Sequence, residues 1–218
     1  MSQYNIMNHH IRKSVPITKL ALALSASNDT PTAVSPVDIF KLARRKWRDG
    51  ERVDIGKLAA ELGIGRATAF RWVGSRDALM GEVIWSFYEP TLQQALAANR
   101  AHGAELIASL TATAMYSILE FAPMRRWLEQ DPEYALKIAT DETGVVQSRT
   151  VAFVQSVLQR EVDVGKLKNT ALDVETLSLL VIRISSSFLY SDITCGREPS
   201  VESAYTAIKI LAAAKSEK

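Results

Sequence analysis

The chain has 218 residues, 47% hydrophobic and 23% charged, a globular balance with room for a small domain joined to a larger one. No apolar run reaches the roughly 20 residues of a membrane span, so a soluble protein with no membrane partner is expected. The single cysteine, Cys195, excludes an internal disulfide framework and fits a reducing cytoplasm. With only His9, His10 and His102 beside it, no metal-ligand spacing occurs, and no metal or other cofactor is expected. The net charge of +2 is unevenly spread: residues 35–80 carry +4, residues 1–34 carry +2 and the remainder −4. A basic first third beside an acidic remainder points to a polyanionic partner for the first part only.

Residues 1–34 read as a flexible N-terminal arm or a short extra helix, polar and turn-rich between Asn28 and Thr32. The run "KLALALSAS" (Lys19–Ser27) is at the short limit for the apolar part of a signal peptide, and an arm is the preferred reading. Ser35, Pro36 and Asp38 then start a helix with Val37, Phe40, Ala43 and Trp47 at helical spacing and Gly50 as its stop. Asp54 caps a second short helix whose apolar face is Leu58, Ala59 and Leu62, and Gly63 ends it. "GRATAFRWV" is a third. Ser75 caps a fourth, from Arg76 to at least Tyr88 and ending before Pro90. Further helices are expected at 91–98, 103–121, 124–138 (with a break near Asp131-Pro132), 144–161, 171–193 and 199–214, separated by glycine and proline. No segment shows sustained period-two alternation, so the fold class is all-α.

The two short helices meeting at Leu62-Gly63-Ile64-Gly65 form a helix-turn-helix, with glycine supplying the turn conformation and Ile64 plugging the angle. On the second of them Ala69 and Val73 point inward, while Arg66, Ala67, Thr68, Phe70 and Arg71 take the exposed arc. Arginine reads guanine edges or holds phosphate, and Ala67 and Thr68 suit thymine methyls. Arg76, at a helix N-terminus, is placed to hold a phosphate. Arg52 and Trp72 complete the expected DNA-binding set, although Trp72 can equally pack on the next helix. Lys41, Arg44, Arg45, Lys46 and Arg48 read as a solvated face that steers DNA at most.

Asp54 to Met80 resembles the DNA-binding domain of the TetR family of bacterial regulators. The family's "AGV" turn corresponds to Leu62-Gly63-Ile64, its "TLYxHF" to Thr68-Ala69-Phe70-Arg71-Trp72-Val73, and its "xxKxxLL" to the segment from Arg76 to Met80. The resemblance implies that Thr68 contacts base or phosphate and that Arg76 replaces a phosphate-binding Lys. Phe70 stands where a Tyr commonly bonds phosphate, and lacks its hydroxyl. Gly65 replaces the usual Ser cap, at a cost of only a few tenths of a kcal/mol. The wording "RATAFRWVGSRDAL" is most similar to a subgroup regulating breakdown of quorum-signal lactones.

The resemblance divides the chain into 35–80, the DNA-binding domain, and 81–218, a helical effector-binding and dimerisation domain. Trp85, Tyr88, Met115, Tyr116, Leu119, Met124, Trp127 and Phe153 are the expected effector pocket, with His102, Arg125, Arg126 and Gln155 as candidate polar partners. Each reads equally as ordinary core or surface. Leu177, Val181, Ile184 and Phe188 on one helix, and Ala204, Ile208 and Leu211 on the last, form stripes for a four-helix homodimer interface. The expected function is a dimeric repressor of a near-palindromic double-stranded DNA operator, released by a small amphipathic effector such as a lactone or acyl compound. The alternatives are an effector-independent regulator or activator, and a small-molecule-binding helical protein or enzyme with an incidental helix-turn-helix. No catalytic constellation can be assembled from the sequence, and none is expected.

Overall fold

A computed structural model describes residues 17–25, 34–168 and 170–215. Its elements are helices: α1 (Lys19–Ser25), α2 (Pro36–Arg48), α3 (Ile55–Glu61), α4 (Arg66–Val73), α5 (Arg76–Ala98), α6 (Gly103–Glu120), α7 (Ala122–Gln130), α8 (Pro132–Thr140), α9 (Val145–Asp163), α10 (Val174–Leu189), α11 (Ser191–Cys195) and α12 (Val201–Ala213). The one strand-like feature among the described residues is an isolated bridge between Thr170 and Lys215. None of these helices alone is long and apolar enough to cross a membrane.

Helix starts follow local chemistry. At α2 the Ser35 backbone N–H and hydroxyl both donate to Asp38 Oδ2, at 2.8 and 2.6 Å. Asp54 caps α3 by accepting from the Lys57 N–H at 2.9 Å, and Ser75 caps α5 through the Ala78 N–H at 3.0 Å. Of the two readings of residues 1–34, the short extra helix is present as α1, whose Leu20 is fully buried; residues 1–16 and 26–33 lie outside the described residues. Two other expectations are corrected. Pro90 does not end the fourth helix, because α5 continues through it to Ala98. Proline removes one N–H from the ladder, but Pro90 is solvent-exposed, so the freed carbonyl a turn earlier need not stay dry. The helix expected at 171–193 starts at Val174 and breaks after Leu189, where Tyr190 leaves helical geometry and α11 begins. The break near Asp131 separates α7 from α8 as expected.

Two main buried clusters organise the chain. The first joins α1 to α5 around Ile39, Phe40, Trp47, Leu58 and Val73, and reaches Met124, Ile138 and Val146 of later helices. The second gathers α6, α9, α10 and α12 around Leu106, Ile107, Leu158, Leu177 and Ile208. α12 turns Val201, Ala204, Ile208 and Ala212 inward, and the alanines allow close packing on α6. Across the pair, Tyr205 donates to Glu105 at 2.6 Å and Lys209 pairs with the same carboxylate at 2.8 Å. Buried Glu161 fixes the start of α6 by accepting from the Gly103 N–H at 2.8 Å and lying 3.2 Å from His102 Nδ1. Gly103 has φ +61°, and a Cβ there would lie 2.8 Å from the Lys166 carbonyl oxygen, so this joint admits only glycine.

Leu20→Ala tests the structural weight of α1. Its side chain is wholly buried against α2 and α4, so truncation should cost about 2–5 kcal/mol in urea unfolding. A loss below about 0.5 kcal/mol, the size typical of surface changes, would show α1 to be loosely attached.

Candidate nucleic-acid face and interior cavity

The helix-turn-helix is built from α3 and α4. Gly63 takes φ +66° in open space, so the turn's conformation rather than crowding favours glycine, and the Ile64 N–H returns to the Ala59 carbonyl at 3.0 Å. Ala69 and Val73 are fully buried beneath α4. Arg66, Ala67, Phe70 and Arg71 are exposed, while Thr68 and Trp72 are half-buried. Trp72 packs on the N-terminal core, and the Arg66 guanidinium lies 5.5 Å from the Phe70 ring centroid. The outward surface therefore carries two arginines, one aromatic edge and a small residue. Arg52 is exposed at the loop leading into α3. The back of α4 is held by α2, α3, α5 and α1; the Thr18 methyl sits 3.0 Å from where a Cβ on Gly74 would be.

Arg76 stands at the first position of α5, half-buried. Its Nε donates to the Val53 carbonyl at 3.0 Å, and its guanidinium lies 4.1 Å from the Tyr134 ring centroid. It thereby helps to form a joint between α5 and α8. Beside it, Asp77 accepts from the Tyr134 hydroxyl at 3.0 Å and from Lys137 Nζ at 2.6 Å. Trp47 continues this joint, edge-on to Trp127 with centroids 5.7 Å apart, and Arg126 Nη1 donates to the Asp49 carbonyl at 3.2 Å. The buried Trp47 indole N–H has no hydrogen-bond partner, and the rings of Phe87, Phe121 and Trp127 surround the indole. The basic residues of α2 are largely matched locally: Arg45 and Lys46 by Glu61, Lys46 also by Glu51, Arg48 by Asp49, and Arg44 by Ser86 and the Phe87 ring.

A cavity of about 80 Å³ lies between α5, α6, α9 and α10. Of the expected pocket residues, Tyr88, Met115, Met124 and Phe153 line it. The other four do not. Trp85 packs with Leu92, Ala114 and Val145 and faces an outer groove beside Arg149. Tyr116 is 44% exposed and donates to Glu202 at 2.5 Å. Leu119 packs at the margin of the second core. Trp127 belongs to the joint with Trp47. None of His102, Arg125, Arg126 and Gln155 lines the cavity. Its polar groups come instead from Gln147, Tyr190, Thr111, Thr150, Ser185 and Ser186, with Tyr88. The signal for Gln147 and Thr150 was present: they share a helical face with Val154 and Val157, and so interrupt an apolar stripe. Burial pushes the Tyr190 phenol up to about 12, and burial followed by the neighbouring Tyr190 pushes the Tyr88 phenol up as well.

The expected interface stripes divide. Leu177, Val181, Ala204 and Ile208 are buried within the chain's own core and are not available to a second copy. Ile184, Phe188 and Leu211 stay partly exposed, and Ile210, not anticipated, is 68% exposed beside them on α12.

Residues 102–213 match the family described as tetracyclin repressor-like, C-terminal domain. The solved structure of the R. erythropolis transcriptional repressor QsdR, from the TetR family, superposes with a TM-score of 0.76 at 28% identity, over 84% of this chain and 96% of its own. No curated protein matches the chain.

The joint at Asp77 should show in acid. Burial alone would raise its carboxyl, but hydrogen bonds from Lys137 and Tyr134 outweigh that and hold it below its ordinary 3.8. Its contribution to stability is therefore complete above that value and is lost as pH falls through the lower folded value. Asp77→Asn should unfold more easily than wild type at neutral pH, with the gap closing as the solution is acidified below 3.8. A gap unchanged across the acid range would remove the carboxylate from the joint.

Proposed function

The chain belongs to the TetR family of transcription regulators, and from that premise we propose that it is a dimeric repressor which grips a near-palindromic operator and lets go when a small effector enters its cavity. The observation that carries the reading is α4: an eight-residue helix with its apolar seam fully buried and Arg66, Ala67, Phe70 and Arg71 turned outward. Such a face suits the major groove, where Arg66 and Arg71 address guanine or phosphate and Ala67 permits close approach. Thr68, half-buried, sits at the edge of that face, and Arg52 extends it toward the adjoining backbone. Trp72 supports the helix from behind, and Phe70 contributes contact without a phosphate hydrogen bond. Residues 35–80 form the DNA-binding unit, with α1 as an added brace, and residues 81–218 bind effector and pair the subunits.

Pairing through the outer faces of α10 and α12, around Ile184, Phe188, Ile210 and Leu211, would set two copies of α4 on one side of the dimer. Two recognition helices about 34 Å apart meet successive turns of one groove face, which makes the operator near-palindromic. The cavity is the effector site because α5 both lines it, through Ile84, Tyr88 and Leu92, and starts directly behind α4. A ligand that favours a wider cavity moves α5, and α4 with it. The resemblance to regulators of quorum-signal lactone breakdown makes lactones and acyl compounds the first effectors to test.

Footprinting on DNA selected for binding should give a protected near-palindrome, with affinity falling steeply as salt rises. Arg71→Ala should lose about 1–3 kcal/mol of discrimination at the base pair it reads, while Lys57→Ala, off the recognition helix, should leave base preference intact. A sequence-blind loss from Arg71→Ala, or binding indifferent to salt, would overturn the assignment of α4.

A further inference from the structure

We infer that the cavity selects an uncharged ligand, anchored through a carbonyl or ester oxygen by Tyr88, Tyr190 and Gln147 and held along its body by apolar contact. The inference rests on the reading of this cavity as the effector site and specifies its chemistry. Every side chain lining the cavity is neutral at physiological pH: there is no Asp, Glu, Lys, Arg or His among them. A charge pair on two of the lining helices, Glu82 with Arg149, is closed on itself through two hydrogen bonds of 2.8 Å. A carboxylate or phosphate entering here would shed its water and meet no cation.

The polar lining is also asymmetric in what it can offer. The hydroxyls of Thr111, Thr150 and Ser185 already donate to backbone carbonyls of their own helices, at 2.8, 2.7 and 2.6 Å. Gln147 and Tyr190 are 95% and 93% buried, and Tyr88 lines the cavity beside them. Gln147, Tyr88 and Tyr190 all line the cavity, and their polar tips hold no hydrogen-bond partner among the described residues and are not fully occluded. Buried donors left open in this way ask for an acceptor. The phenols donate readily, and both stay protonated at neutral pH. Opposite them the walls are Ile107, Leu110, Met115, Val154 and Val157, which suit an alkyl chain. The combination excludes free fatty acids and phosphate-bearing thioesters, and admits neutral esters, lactones, ketones and amides.

The test uses the full chain without DNA. Calorimetric titration and thermal melting are run with methyl esters of straight-chain acids from butanoate to octanoate, and with the matching carboxylates at neutral pH. At least one ester should bind and raise the melting temperature, with its carboxylate weaker by about tenfold or more. Tyr88→Phe and Tyr190→Phe remove only a hydroxyl, and Gln147→Met keeps the shape. Each should weaken the ester by about three- to tenfold while leaving the melting temperature of the free protein within a few degrees. The inference is overturned if carboxylates bind as tightly as esters, if no ester binds, or if ester affinity is unchanged in all three variants. Ester binding that fails to release operator would leave the ligand chemistry standing and defeat the effector reading instead.

Discussion

An eight-residue helix cannot hold itself in water, because nucleating it fixes several residues for very few hydrogen bonds. α4 is therefore only as well aimed as the surface packed behind it, and much of the N-terminal architecture follows from that. Ala69 and Val73 give it a narrow seam against α2, α3 and α5. α1 closes the remaining side, with Leu20 in the core and Thr18 against Gly74, where the chain leaves the helix. Four supports on an element of two turns leave it little independent motion. Its orientation becomes that of the whole N-terminal cluster.

The cluster is in turn joined to the larger bundle by groups that look, in sequence, like ligands for something else. Arg76 bonds the Val53 carbonyl on one side and lies over Tyr134 on the other, while Asp77 takes Tyr134 and Lys137 together. Trp47 and Trp127 meet edge-on below them. Much of this joint is made of directional contacts to α7 and α8. Such contacts tolerate little sliding, so displacement of the bundle's helices is passed to the N-terminal cluster instead of being absorbed between them.

The helix-turn-helix and the all-α class were legible because capping residues, glycine stops and 3.6-residue periodicity are local signals. The segment "GRATAFRWV" contains α4, Arg66–Val73. What the sequence hid was direction. Arg76 at a helix start reads as a phosphate ligand, and its contacts to Val53 and to Tyr134 of α8 depend on tertiary structure the local sequence does not show. Leu177, Val181, Ala204 and Ile208 make apolar stripes as an interface would, but α6 already occupies them. Trp85 and Tyr88 are three residues apart on α5, yet α9 and α10 enclose Tyr88 and leave Trp85 facing a groove. Gln147 and Tyr190, which contribute to the cavity's polar lining, sit in mixed local sequence, VVQSRT and SSSFLYSD, where no adjacent residue marks them out. Pro90 is a further case: a helix can carry a proline at an exposed position, where water can reach the freed carbonyl, and exposure is set by tertiary structure.

The cavity's size bears on how binding could do work. At about 80 Å³ it is smaller than the ~150 Å³ void that takes up benzene, so a ligand with both a polar head and a chain cannot enter without moving walls. Met115 and Met124 can adjust their rotamers, but α9 is tied to α5 by the two-bond Glu82–Arg149 pair, and these two helices shift together. From Arg76 to Tyr88 α5 runs about 18 Å, so a small tilt at the cavity becomes a displacement of the same order at the helix start behind α4. The free energy available for that is only the difference in ligand affinity between the narrow and wide states, commonly 1–3 kcal/mol in order of magnitude. Linkage then works in both directions. Under the function proposed above, whatever factor the ligand took from operator affinity the operator would take from ligand affinity, by thermodynamic necessity.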